Sequence, residues 1–285
     1  MWSIVLGSLL TDIGKLLLDK ELVKEFWDEA ACGEELLLPS YDLEGYAAQA
    51  SERYRLEPYI IPFANFDESS GLAVLEIGLG LGADHESFAL AGAKLTGIDL
   101  TPRAVQITSH RLGLKSLESD LLVGDAEDLP HDAGTFNLVY SWGVIHHSPN
   151  THKAAKEILR VLKPGGEFRV MVYHTWSLVG LMLWTRYGLL RGRPWVGLEE
   201  IYSKWLESPG TKSYTKAEAA SLFDGATDVR CSVELTHGDL LESGAGQRHK
   251  GRALDLVRRI LPRWLLRRVA KRFGLFLLVS GRKVG

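Results

Sequence analysis

The chain has 285 residues, 46% hydrophobic and 24% charged, which is ordinary globular material able to bury a sizeable core as one large domain with appendages. Its two cysteines, Cys32 and Cys231, are too few and too isolated for a disulfide framework or a Cys-based zinc site, and they fit a reducing compartment. The net charge of −3 hides an asymmetry: residues 248–273 carry ten Lys or Arg against Asp255 alone, about +9, while the rest of the chain carries 23 basic and 35 acidic residues, about −12.

Met1 to Leu10 are apolar but lack a basic start and a cleavage site, so they read as an amphipathic lead-in rather than a signal peptide. No uninterrupted run of about 18 apolar residues argues for a membrane span. Residues 1–66 alternate apolar and charged positions at helical spacing, which predicts a cap of two or three helices. From 67 to 175 strand, turn and helix repeat, with strands expected near 72–77, 94–99, 120–123, 136–141 and 167–173 and helices near 83–91, 102–113 and 151–161. Such alternation predicts an α/β fold with a doubly wound, mainly parallel sheet. Residues 176–285 add an oily helix at Trp176–Leu190, further cap at Trp195–Pro209, a capped helix over Thr215–Phe223 and a strand near 228–235. A small-residue loop at Thr236–Gly251, a basic helical stretch at 252–272 and a last strand at Leu275–Ser280 complete the chain.

The chemistry concentrates after the first strand. In Val74-Leu-Glu-Ile-Gly-Leu-Gly-Leu-Gly-Ala-Asp84 a buried strand runs into Gly78, Gly80 and Gly82, which permit a sharp turn and close approach to a ligand. Gly78-x-Gly80-x-x-Ala83 also satisfies the dinucleotide fingerprint, with Asp99 at about the right distance for a ribose. Read by itself, this loop indicates a nucleoside cofactor without saying which. Four later segments, Leu122-Val-Gly-Asp-Ala-Glu127, Phe136–Ser141, Val161-Leu-Lys-Pro-Gly-Gly166 and Glu167–Tyr173, follow in an order that resembles the class I S-adenosylmethionine-dependent methyltransferases, in particular the small-molecule branch that includes the quinone-biosynthesis enzymes.

That resemblance implies a seven-stranded Rossmann-like sheet whose last strand runs antiparallel between the fifth and sixth. It implies S-adenosylmethionine as cofactor, with the Gly78–Gly82 loop under the amino-acid part and Glu76 tuning the loop or the ammonium. Asp99, followed by Leu100, would take the ribose hydroxyls; Asp125, Ala126 and Glu127 would stand at the adenine, and Ser141 at the methionine end. Paired histidines after the fourth strand, here His146 and His147, occur in similar enzymes. Either suits a base for the acceptor's proton, and loop hydrogen bonding is the alternative. Tyr173 and His174 at the end of the fifth strand and His237 after the sixth are expected on the same face. A metal is not expected, because no ligand spacing such as His-x3-His occurs.

The acceptor pocket is expected from Tyr41, Tyr46 and Tyr54 in the cap, with Trp142, and from Gln247 and His249 in a covering loop. The function so implied is methyl transfer to a small O, C, N or S acceptor in the cytoplasm. Alternatives are a small-thiol S-methyltransferase, a lipid or quinone methyltransferase in peripheral membrane contact through 176–190 and 248–273, and an NAD(P)-dependent oxidoreductase. Nucleic-acid binding is disfavoured, since the basic segment offers only Trp264 and Phe273 as aromatics.

Overall fold

β1 (Ala73–Ile77) is the axis of the molecule. In the computed structural model, which describes residues 19–240 and 270–285, it pairs in parallel with β2 (Lys94–Asp99) on one side and β4 (Phe136–Trp142) on the other. β3 (Asp120–Val123) extends the sheet beyond β2 and β5 (Leu162–Tyr173) beyond β4, both parallel. β7 (Phe276–Lys283) lies antiparallel between β5 and β6 (Ala226–Glu234), giving the seven-stranded order β3-β2-β1-β4-β5-β7-β6.

The crossover helices follow from local chemistry. α5 (Ala83–Leu90) starts at the glycine turn, and α6 (Pro102–Gly113) is capped by Thr101, whose hydroxyl accepts from Ala104 N, with Pro102 at the first position, where its missing N–H costs nothing. α7 (Thr151–Val161) turns Ala154, Ala155, Ile158 and Val161 to the sheet, a helical spacing that buries all four completely. They pack on Leu75, Ile77, Val139, Val170, Leu277 and Val279, and each fully buried aliphatic side chain of this size contributes about 1.5–3 kcal/mol. Phe168 stacks on Phe223 at 4.1 Å, closing the same core under α10 (Lys216–Ser221), which begins with the Thr215–Glu218 capping box.

Two groups of helices cover the carboxyl edge and flank. The first is α1 (residues 19–29), α2 (Glu34–Leu37), α3 (Leu43–Leu56) and α4 (Ile60–Ala64); the second is α8 (Leu178–Tyr187) and α9 (Leu198–Trp205). β5 begins five residues earlier than its pattern suggests. Leu162 pairs with Phe136, and the register then shifts past Pro164 and Gly165, the latter at φ 75°, so the strand enters the sheet through a bulge. No helix among the described residues is long and apolar enough to cross a membrane. The lead-in at 1–10, the loop bearing Gln247 and His249, and nearly all of the basic segment lie outside the described residues.

Candidate active site

The chain leaves β1 towards β2 and β3 and later returns to β4 and β5 on its other side, so a crevice opens between the carboxyl ends of β1 and β4. Four neighbouring strand ends then present the expected residues in a row: Asp125 after β3, Asp99 at the end of β2, the glycine loop after β1 and Ser141 in β4. Three interstrand steps span about 14 Å, the scale of a nucleoside joined to an amino acid.

Gly78 sits at φ 85°, and a Cβ there would come within 2.0 Å of Val144 Cγ2, in the turn that carries the histidines. The glycine loop and the histidine turn are therefore in contact. Gly80 (φ 50°) has no atom of the described residues within 4 Å of a Cβ position, which leaves room for a ligand against the loop, while Gly82 at φ 75° starts α5. Asp99 is half-buried and accepts from Leu79 N at 2.8 Å, Thr101 N at 2.9 Å and Thr101 Oγ1 at 2.8 Å. Burial pushes its carboxyl pKa up, and these bonds oppose the shift. Leu100 beside it is half-buried.

Glu76 faces inward rather than towards the loop. Its Oε2 lies 2.8 Å from His85 Nδ1, and His85 Nε2 lies 2.8 Å from Ser119 Oγ. Ser119 donates its own proton to Leu95 O, so it accepts from His85 Nε2–H. Burial holds the Glu76 carboxyl well above the usual range and drives the His85 imidazole down to about 3, so the pair is neutral, with the carboxyl O–H donating to Nδ1. The cost of burying Glu76 is offset inside the fold, which corrects its assignment to the loop or the ammonium.

After β3, Asp125 and Glu127 both receive Lys20 of α1, the second at 3.1 Å. Asp125 Oδ1 also accepts from Glu127 N at 2.8 Å, and Glu127 accepts from Asn150 N at 2.7 Å and from the Ser148 hydroxyl. Glu127 therefore ties this loop to the histidine turn, while Ala126 packs on the main core. At the other end of α1, Trp27 meets the His147 ring edge-on at 5.2 Å, so α1 spans the row from the β3 end to the histidines.

The histidine turn ends in a buried cluster. His146 is fully buried with both ring nitrogens lacking a hydrogen-bond partner among the described residues, and burial, then His147 and Lys212, hold its pKa well below the usual value. His147 Nδ1 lies 2.8 Å from Ser208 Oγ and 3.1 Å from Thr211 Oγ1, and its Nε2 is 3.4 Å from Glu207 Oε2. Tyr173 donates to the same carboxylate oxygen at 2.6 Å, and its ring lies tilted against that of His146 with centroids 4.1 Å apart. Burial, then Glu207, raise the Tyr173 hydroxyl far out of range, so it stays a donor. Ser141 Oγ is buried and unpartnered among the described residues.

Other expected residues fall elsewhere. His174 is on the opposite face of β5, because side chains alternate, and its Nδ1 bonds Gly274 O at 3.2 Å. His237 lies beyond β6, where its charge bears on Glu52 of α3, so four imidazoles do not converge. Tyr41 is exposed and donates to Glu34; Tyr46 is buried under the Arg111 guanidinium, 3.3 Å from His110 Nδ1. Tyr54 donates to Asp84 at 3.1 Å and Ala83 O at 3.2 Å. All three tyrosines have fold partners, which corrects their reading as acceptor ligands. Trp142 does reach the cluster's apolar wall, stacking with Tyr59 at 6.0 Å and meeting Phe276 edge-on.

The sequence reading missed several residues that the structure brings in. Asp84 collects Arg53, Tyr54 and Tyr140, and Glu57 at the end of α3 is pushed up to about 7 by burial, its ion pair with Arg53 only partly opposing. Asp84 stood in plain view at the helix start; Glu207 and Lys20 had no spacing signal at all.

Residues 75–170 match the family model described as "Methyltransferase domain". The chain thus contains a stretch similar to methyltransferase domains. It is 34% identical over 104 residues to a sterol 4-C-methyltransferase of Caenorhabditis elegans, covering 36% of this chain and 31% of that one. It is 38% identical over 99 residues to a phthiotriol/phenolphthiotriol dimycocerosates methyltransferase of Mycobacterium leprae, covering 34% and 36%. The chain thus spans about a third of the length of these relatives. The fold resembles that of a Haemonchus contortus phosphoethanolamine N-methyltransferase 2, solved with S-adenosylhomocysteine, at a TM-score of 0.52 and 18% identity over 76% of this chain and 50% of that one. None of these similarities supports an NAD(P)-dependent oxidoreductase.

Proposed function

We propose that this methyltransferase domain uses S-adenosylmethionine to methylate a small-molecule acceptor held at the carboxyl ends of β4 and β5. The observation that carries the reading is the row Asp125, Asp99, Gly78–Gly82 and Ser141 across four adjacent strand ends, ending beside the buried cluster of His146, His147, Tyr173 and Glu207. The cofactor, when bound, supplies an activated methyl group; the protein's task is alignment and, for an O–H or S–H acceptor, removal of a proton. Asp99 would hold the ribose diol and the glycine loop the amino-acid end. His146, neutral because of its burial, is an available proton acceptor, and Tyr173 orients Glu207. Helix α1 bridges the two ends of the row through Lys20 and Trp27.

The test is thermal unfolding of the purified chain with S-adenosylhomocysteine or NADH in parallel. Stabilisation by the first and not the second is expected, since only a ligand of the native state raises the midpoint. Stabilisation by NADH alone would overturn the assignment.

A lipophilic acceptor is a second reading, favoured by one surface feature. Trp176, Leu181, Leu190 and Trp195, on and around α8, are 56–76% exposed. Such a face is suited to meet lipid, and both curated relatives above are named for lipid-like acceptors. Co-sedimentation with anionic vesicles, reduced by Trp195→Ala and Leu190→Ala, is its check. Absence of sedimentation at low salt would return the choice to water-soluble acceptors.

A further inference from the structure

We infer that His146, His147 and Glu207 form a site for a single divalent transition-metal ion, of which zinc fits the donors best. The inference rests on reading this cluster as the acceptor end of the site. One donor atom from each residue falls within 4.8 Å of the other two, and the histidines are buried.

His147 is held through Nδ1, which lies 2.8 Å from Ser208 Oγ and 3.1 Å from Thr211 Oγ1. Thr211 Oγ1 donates its proton to Ser208 O, so towards Nδ1 it only accepts, whereas the Ser208 hydroxyl can donate or accept there. When Ser208 accepts, the ring proton is on Nδ1 and Nε2 presents the bare lone pair that a metal needs. Nε2 faces Glu207 Oε2 at 3.4 Å without hydrogen-bond geometry.

A single proton would satisfy that pair but leaves His146, whose two nitrogens are also unpartnered among the described residues. One cation serves all three. The separation of 3.4 Å equals the edge of a tetrahedron whose donors lie about 2.1 Å from a zinc ion, about 3.4 Å. Two imidazoles and one carboxylate leave a fourth position open, as in catalytic rather than structural zinc sites. Outer contacts that usually orient such ligands are already present: Ser208 and Thr211 on His147 Nδ1, and the Tyr173 hydroxyl on Glu207. The open position would take an acceptor's oxygen or sulfur, which favours hydroxyl, phenol or thiol acceptors over carbon.

The experiment uses the full chain, stripped with a chelator and titrated with zinc or cobalt(II) alone, with metal content measured after gel filtration. One ion per chain and a tetrahedral cobalt absorption spectrum are expected. Glu207→Gln, which keeps the side chain's shape, and His147→Ala should each weaken binding by at least about a hundredfold; His152→Ala, outside the cluster, should not. Stabilisation by S-adenosylhomocysteine is read on the same samples and should persist in every variant, so failure of the metal site and failure of the methyltransferase reading give different results. Substoichiometric metal, or wild-type affinity in Glu207→Gln, would overturn the inference and assign a shared proton to the gap.

Discussion

Asp84→Ala should be among the most destabilising single changes in the chain. The Asp84 side chain is 3% exposed, and its carboxylate accepts from Arg53 Nε at 3.1 Å, Arg53 Nη2 at 2.7 Å, Tyr54 OH at 3.1 Å and Tyr140 OH at 2.9 Å. Arg53 belongs to α3, Asp84 to α5 and Tyr140 to β4, so one carboxylate joins cap, crossover helix and sheet. Removing it strands a guanidinium whose remaining acid, Glu57, is 3.4 Å away, and leaves the Tyr140 hydroxyl without its acceptor in a fully buried place. Breaking a buried pair from one side costs about 3–5 kcal/mol, and a stranded hydroxyl adds about 1–3 kcal/mol. With a urea slope of about 2–3 kcal/mol/M for a chain this size, the midpoint should fall by at least about 1 M. Replacing both partners, Arg53→Met with Asp84→Leu, should cost less than Asp84→Ala alone, because no guanidinium is left stranded and Glu57, which loses Arg53, can take up a proton. Urea unfolding followed by far-ultraviolet circular dichroism measures both. A loss below about 1 kcal/mol for Asp84→Ala, or a double variant weaker than the single one, would refute the argument.

Three further outcomes are expected. Glu57 has a folded pKa of about 7 against a reference of 4.5, so the native state holds its proton more tightly and stability falls as pH rises between those values, by about 3 kcal/mol in total. Glu57→Gln should remove that slope, and equal slopes in variant and wild type between pH 4.5 and 7.5 would sink the assignment. Asp99→Asn keeps an acceptor for Leu79 N but loses the charged partner of a ribose diol, and should weaken S-adenosylhomocysteine about ten- to a hundredfold by calorimetry. An unchanged affinity would remove Asp99 from the cofactor site. Lys20→Ala frees Asp125 and Glu127, and since a part-exposed ion pair contributes about 0.2–1 kcal/mol, cofactor binding should tighten by up to about fivefold. Weaker binding instead would show that Lys20 holds α1 in its bound position.

The sheet, and the row of strand-end residues proposed to hold the cofactor, follow from the same short-range rules. A parallel strand buried on two faces must be apolar, its exit needs glycine, and the acid that follows stands one strand further along, so Gly78–Gly82, Asp99 and Asp125 announce themselves by spacing. β7's antiparallel place was not local information, and only the family resemblance supplied it. The cap tyrosines were misjudged for the converse reason: Tyr46 and Tyr54 carry the composition of a binding surface, yet their partners, His110 and Asp84, come from helices beyond the glycine loop.

His146 and His147 show where spacing stops carrying information. Their adjacency marked the turn as chemical, but a ring's role depends on what its nitrogens meet, and for His147 those partners are Ser208 and Thr211 at Nδ1 and Glu207 at Nε2. Those residues sit in the insertion after α9, a segment with no periodicity to align it and no fixed distance from β4. Glu207, from the same insertion, joins the pair of histidines so that one donor atom of each lies within 4.8 Å of the others. A cofactor of fixed length imposes regular spacing on the strands that hold it. The acceptor end imposes none, because its donors need to meet only in space. A site assembled from a strand-end turn and a distant insertion can thus change its acceptor by altering the insertion alone, leaving the row of Asp125, Asp99 and the glycine loop untouched.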